Sequence, residues 1–333
     1  MNPTRNPIRD GIRRRGALVI DGAMSTALEK LGMVLNDSLW SARALVANED
    51  LVRQVHLDYF RAGANAAITD SYQATEAGFA ARGFSCSDAR RFIRRSAELA
   101  GEARDLILAE NRSLAREDLL VAGAVGPYGA FLADGSEYTG RYALSRDEYA
   151  RFHRMRIDAL LEGGADVLAV ETQPRFDEVS AVLSMIEDRD VTAWVTVTLN
   201  EAGTMPDGTP LAKLARELDA NPHAAALGLN CVRREKVEAA LAELAAHTDK
   251  PLVVYPNSGE VYDPVTKTWG QGPHANRTWS TFVPKWRALG AACIGGCCRT
   301  LPGDVREISA ILAQQAPSAP SDAAGGFLGA KLG

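Results

Sequence analysis

Eight short apolar runs, each closed by polar or turn residues, constrain this chain more than anything else in it. They cover residues 17–20, 65–69, 119–125, 166–170, 192–199, 225–229, 251–255 and 291–294. Apolar runs of this length read as buried strands. Segments of helical character separate them. In the first, residues 49–62, Leu51, Val55 and Tyr59 recur at four-residue spacing and Gly63 stops the pattern. Further helices are expected over 87–111, 145–162, 176–187, 211–218, 235–246, 282–289 and 304–312, with a short one over 25–31. Ser145, with Glu148 three residues on, predicts a capping box. Strands alternating with helices indicate parallel βαβ units, and eight of them close a barrel. The expected fold class is therefore α/β, a single (β/α)8 TIM-type barrel, with a doubly wound open sheet as the alternative.

The barrel is expected over residues 17–314, after an N-terminal extension (1–16) and before an Ala-, Gly-, Ser- and Pro-rich tail (315–333) read as flexible. The net charge of -5 argues against a general nucleic-acid surface. No apolar run is long enough to span a membrane. The apolar stretch after Arg13-Arg14-Arg15 ends at Asp21, too soon for a signal-peptide core. Five cysteines in 333 residues do not form a disulfide framework. They point to a reducing, cytoplasmic setting in which thiols stay free. The sequence carries no signature that sets an oligomeric state.

Barrel enzymes assemble their sites at the C-terminal ends of the strands. Here those ends carry Asp21, Asp70, Gly126, Glu171, Asn200, Asn230-Cys231, Asn257 and Cys297-Cys298. Cys231, Cys297 and Cys298 read as one metal site, because three soft thiolates on one ion favour zinc. Adjacent residues rarely share a metal, and Gly295-Gly296 is expected to relax that through glycine's wider backbone freedom. Buried packing is the competing role for a cysteine pair. A vicinal disulfide is another, but it leaves Cys231 unexplained. Cys293, inside the last strand, is expected to pack in the core, and Cys86 to lie in a loop.

Three protein ligands leave a fourth position for a substrate. A zinc ion already neutralised by three thiolates suits binding a further thiol better than making hydroxide. Thiolate is the nucleophilic form of sulfur. Asp21 and Glu171 fit an ammonium at the other end of such a substrate, and backbone N–H groups after Gly22 fit its carboxylate. The competing role of Asp21 is an ordinary turn residue before glycine.

These motifs resemble the homocysteine S-methyltransferase family across nearly the whole chain, from Val19-Ile20-Asp21-Gly22 to Gly295-Gly296-Cys297-Cys298-Arg299-Thr300. Four segments resemble the branch that uses S-methylmethionine, some members of which accept S-adenosylmethionine: Asp37-Ser38-Leu39-Trp40-Ser41, Ser71-Tyr72-Gln73-Ala74-Thr75, Val125-Gly126-Pro127-Tyr128-Gly129 and Val254-Tyr255-Pro256-Asn257-Ser258-Gly259-Glu260. The resemblance implies a zinc-containing barrel that makes methionine from homocysteine and a methyl sulfonium donor. It places the zinc on Cys231, Cys297 and Cys298. It places substrate binding on Asp21, Gly22, Ala23, Ser71, Gln73, Glu171 and Asn230. Tyr72, Tyr128 and Trp269 are the aromatic candidates for cation–π contact with the sulfonium. The chain departs from the branch pattern at Ala23, Asp70 and Leu301, of which Asp70 adds negative charge near the donor. A betaine- or cobalamin-linked methyltransferase and a non-catalytic thiol or zinc sensor are the alternative functions.

Overall fold

Period-two alternation sorts the strand residues between two cores. The computed structural model describes residues 2–35, 39–259, 261–263, 268–270 and 278–315, with backbone alone for 261–263 and 268–269. Each apolar run forms a strand: β1 Leu18–Val19, β2 Ala66–Ile68, β3 Leu120–Val125, β4 Val167–Gln173, β5 Ala193–Val197, β6 Ala224–Asn230, β7 Leu252–Tyr255 and β8 Ala291–Ile294. Leu18, Ile20, Leu120, Ala122, Val167, Ala169, Ala226 and Val253 point into the barrel. Their neighbours Val19, Val121, Leu168, Val170, Leu227, Leu252 and Val254 pack outward beneath the helices.

All neighbouring strands pair in parallel, in the order β1-β8-β7-β6-β5-β4-β3-β2. The ring then closes. Ile20 bridges Ala66, the Asn65 N–H donates to the Val19 carbonyl at 2.7 Å, and the Asp21 N–H donates to the Ala66 carbonyl at 3.1 Å. β1 thus pairs with both β8 and β2, which excludes the open sheet. One helix follows each strand on the outside: Glu49–Arg61, Cys86–Glu110, Arg146–Glu162, Phe176–Ser184, Leu211–Asp219, Arg234–Ala245, Val283–Ala288 and Pro302–Gln314. The expected capping box is present, with the Ser145 N–H donating to the Glu148 carboxylate at 2.7 Å and the Glu148 N–H to the Ser145 hydroxyl at 3.3 Å. Ser85 and Asp88 cap the long helix in the same way, so Cys86 is its first residue rather than part of a loop.

Two features were not foreseen. Residues Pro7–Arg15 form a helix, capped by the Asn6 side chain on the Arg9 N–H at 3.0 Å. Its fully buried Ile8 joins the interior cluster with Leu18, Leu120 and Val167, the first residues of their strands. The helix therefore plugs the end of the barrel away from the strands' C-termini. An antiparallel hairpin, Val261–Asp263 with Thr268–Gly270, interrupts the loop after β7. Asp37, Ser38, Glu260, the Trp269 side chain and residues 316–333 lie outside the described residues. No described helix is long and apolar enough to cross a membrane.

Candidate functional site

At the C-terminal mouth of the barrel the loops after β6, β7 and β8 lock together. The Cys231 N–H donates to the Tyr255 carbonyl at 3.2 Å, the Cys297 N–H to the Pro256 carbonyl at 2.8 Å, and the Ser258 N–H to the Cys298 carbonyl at 3.0 Å. The loop after β7 is thus the shared partner that brings the cysteines together. The Sγ atoms of Cys231, Cys297 and Cys298 all lie within 4.8 Å of one another, with Cys231 and Cys298 at 3.5 Å. A tetrahedral zinc at about 2.3 Å from each sulfur separates its ligands by about 3.8 Å. The cluster has both the donor type and the span of such a site. Hydrogen bonds from Cys297 and Cys298 draw the Cys231 thiol well below the ordinary thiol range. The Tyr138 hydroxyl also lies 3.3 Å from the Cys231 sulfur.

Adjacent Cys297 and Cys298 can share one focus because the chain has left the strand and turns there. The Thr300 N–H donates to the Cys297 carbonyl at 3.1 Å, and Arg299 takes φ +65°. The preceding glycines are not in the left-handed region, contrary to expectation. They supply clearance instead. A Cβ on Gly296 would lie 2.4 Å from the Thr300 hydroxyl, and one on Gly295 2.6 Å from the Ile20 carbonyl oxygen. Gly22 is constrained alike, its would-be Cβ 2.9 Å from both Thr300 and Tyr59.

The cysteines open on a cavity of about 270 Å³. Gly22, Ala23, Gln73, Glu171 and Asn230 line it, as do Tyr72, Tyr138 and Asp70. Glu171 continues the inward alternation of β4 and accepts a hydrogen bond from the Tyr255 hydroxyl at 3.0 Å. Burial pushes its carboxyl up to about 8, with Cys231 adding to the rise and Tyr255 opposing it. Asp21 lies behind the lining. One of its oxygens accepts the Ile68 N–H at 2.8 Å and the other is buried without a partner among the described residues. Burial raises this carboxyl well above the usual range, and Glu171 raises it further. The Ala23 N–H is already engaged by Thr300. The first turn of the helix Met24–Lys30 has no side-chain cap.

Three residues use their polar atoms elsewhere. Ser71 does not line the cavity; its hydroxyl donates to the Ala124 carbonyl at 2.9 Å and pairs with Thr69 at 2.7 Å. Gln73 donates to the Ala130 carbonyl at 3.2 Å. Asn230 faces the cavity but holds Thr172, accepting its N–H and donating to its hydroxyl, both at 2.7 Å. Thr172 and Cys231 both sit in the left-handed region, at φ +57° and +54°. Strain of this kind persists where surrounding contacts fix it.

A sequence model of the family described as Homocysteine S-methyltransferase matches residues 18–312. The chain belongs to the homocysteine S-methyltransferase family. The homocysteine S-methyltransferase of Escherichia coli K12 is 50% identical over 307 residues, which are 92% of this chain and 98% of that protein. Homocysteine S-methyltransferase YbgG of Bacillus subtilis is 48% identical over 308 residues, 92% of this chain and 97% of that one. The crystal structure of E. coli homocysteine methyltransferase MmuM in its metallated form aligns with a TM-score of 0.83 at 47% identity, covering 92% of this chain and all of that one. The chain is thus a methyltransferase, and its three-sulfur cluster is suited to holding a metal.

For a member of this family, two networks around the cavity were missed by sequence reasoning. The sequence marks Tyr255 as the end of a strand and part of a family segment, with no role of its own. Its hydroxyl accepts from the Trp194 indole at 3.1 Å and pairs with Thr196 at 2.8 Å while donating to Glu171. Beneath Tyr72, the Arg156 guanidinium donates to the Tyr72 and Gly126 carbonyls at 2.9 and 2.5 Å. It also donates to His153 Nδ1 at 2.6 Å, and His153 Nε2 bonds Glu178 at 2.8 Å. All three side chains come from the outer helices Arg146–Glu162 and Phe176–Ser184, where helical periodicity signals packing and nothing more.

Proposed function

We propose that this chain moves a methyl group from a sulfonium donor, S-methylmethionine and secondarily S-adenosylmethionine, to homocysteine, forming methionine. The observation that carries the reading is the convergence of three cysteine sulfurs on the same cavity as the Glu171 carboxylate. Cys231, Cys297 and Cys298 would hold zinc, because an all-sulfur donor set selects a soft or borderline ion. Zinc bound there would keep a fourth, substrate thiol in its thiolate form at neutral pH.

Glu171 binds the homocysteine ammonium, and Asp21 stands behind it with one buried oxygen that no described group engages, free to ionise once that cation is bound. The substrate carboxylate faces the uncapped turn after Ala23. A cation beside Glu171 stabilises the ionised carboxylate and offsets the desolvation that otherwise keeps it protonated. The walls would hold the two sulfur centres in line. The substrate's sulfur lone pair forms the new C–S bond as the donor's C–S bond breaks. The departing pair neutralises the sulfonium, so the leaving group is a neutral thioether that needs no proton. Tyr72 and Tyr138 line the cavity where π faces favour a sulfonium cation.

The test is Cys298→Ser, assayed for metal content, heat and proton release on adding homocysteine alone, and methionine formation. Wild type is expected to carry about one zinc per chain and to release protons when homocysteine binds before any donor is present. The serine variant should lose both metal and turnover, since a hydroxyl is a harder and less acidic ligand. Full metal content and turnover in the variant would refute the mechanism.

A further inference from the structure

One carboxylate in the cavity has no part in the chemistry above. Asp70 follows β2 and is 2% exposed. The Ser41 hydroxyl hydrogen-bonds its carboxylate, while Oδ2 is fully shielded and has no partner among the described residues. Asp70 lines the cavity beside Trp40, Ser41 and Gln73. Trp40 is held at φ +47°, a backbone conformation costly for a bulky residue. Burial pushes the Asp70 carboxyl up to about 7, and the Ser41 bond opposes the rise.

A buried carboxylate of this kind calls for a cation. Among the described residues lining the cavity, none is Lys, Arg or His. The cation must then arrive with a ligand. In the closed ring β2 lies four strands from β6 in either direction. Asp70 therefore stands across the mouth from Cys231, with Glu171 on β4 along one arc between them and Cys297-Cys298 after β8 along the other. The reacting sulfur belongs at the cysteines, so Asp70 is placed for the far end of the second substrate.

We propose that Asp70 binds the ammonium group of the methyl donor and selects sulfonium donors that carry a second cationic group. The inference rests on the methyl-transfer reading above. Asp70 is here a specificity-determining residue and takes no part in bond making. Glu137 also lines the cavity with a partnerless carboxylate oxygen, but it is only half-buried and sits beside Tyr138, on the cysteine side.

The test uses zinc-loaded protein, saturating homocysteine and two donors. One is S-methylmethionine; the other is 4-(dimethylsulfonio)butanoate, with the same sulfonium and carboxylate but no ammonium. Wild type, Asp70→Asn, Asp70→Ser, Asp70→Glu and Glu137→Gln are compared by the ratio of kcat/KM for the two donors. Both neutral Asp70 variants should lower the ratio at least about tenfold, the loss of one charged hydrogen bond. The loss should fall on the donor KM rather than the homocysteine KM, and Asp70→Glu should recover part of it. A ratio within about twofold of wild type, or a collapse seen only in Glu137→Gln, would overturn the proposal. So would an equal loss on both donors, which marks a structural role. Wild-type protein that makes no methionine from either donor would overturn the underlying reading as well.

Discussion

The Tyr255 hydroxyl donates to Glu171 Oε2 at 3.0 Å across the barrel, joining the end of β7 to the end of β4. Trp194 and Thr196 engage the same hydroxyl, so its proton is directed at the carboxylate. This bond is the strongest influence opposing the upward push of burial on Glu171. Tyr255→Phe should therefore move the acid limb of the kcat/KM profile for homocysteine to higher pH. At neutral pH kcat/KM should fall about tenfold or more. An acid limb that stays in place would show that Tyr255 serves packing alone.

Glu171 itself should be retained at a cost in stability. Its folded pKa, about 8, lies above the ordinary carboxyl value of 4.5, so between these limits the folded state binds more protons than the unfolded one. Stability from this group is present below the unfolded value and is lost as pH rises through the folded one. Glu171→Gln removes that loss and keeps an oxygen to accept from Tyr255. Relative to wild type at equal metal content, the variant should gain in Tm from pH 5.5 to pH 8.5 while its homocysteine KM rises at least about tenfold. Parallel Tm curves for the two proteins over that range would exclude the buried, mostly protonated carboxyl.

Strand count, strand order and the barrel mouth are legible in the sequence because buried strands are short apolar runs and each ends in a residue of another kind. Glu171, Asn230 and Cys231 are found by that rule alone. What the rule lacks is register. Tyr255 and Glu171 are far apart in sequence and meet only because β4 and β7 both turn every second side chain inward. Ser71 illustrates the opposite error, since it sits beside cavity residues in a motif yet turns its hydroxyl to Ala124. The helix Pro7–Arg15 went unread because it is charged along most of its length and buries only Ile8 and Gly11. Gly295 and Gly296 were noticed for the wrong reason, because a sequence cannot distinguish freedom of angle from lack of room.

Asn230 tests whether strain near the cysteines is held in place by that side chain. Asn230→Ala leaves the Thr172 N–H buried without its acceptor, at a cost of about 1–3 kcal/mol. Released from φ +57°, Thr172 would relax and loosen its hold on the end of β6, where Asn230 adjoins Cys231, and the metal should be lost faster to a chelator. Thermal melts and chelator-driven metal release would check this. A variant with wild-type Tm and wild-type release would mean the left-handed conformations are held by the backbone alone.

His56 provides a test of the core independent of the chemistry. It lies in the helix Glu49–Arg61 with 0% exposure, and neither ring nitrogen has a partner among the described residues. Burial alone lowers its pKa from 6.5 to about 3. Between these values the unfolded chain binds a proton that the folded chain refuses, so stability rises with pH. The contribution is fully present above about pH 6.5 and is lost as pH falls toward the folded value. The slope reaches about 1.4 kcal/mol per pH unit. Buried His153, also lowered by burial, acts in the same direction, whereas Asp21, Asp70 and Glu171, all raised, act in the opposite one. Comparing wild type with His56→Leu cancels those shared terms. The substitution removes two unpaired polar atoms and roughly conserves volume, so at pH 7.5 the variant should be at least as stable as wild type. At pH 5 its advantage should grow by about 2 kcal/mol, a Tm gap wider by a few degrees in melts of matched samples. An equal gap at both pH values would mean that His56 finds a partner or solvent on protonation and is not held neutral by burial.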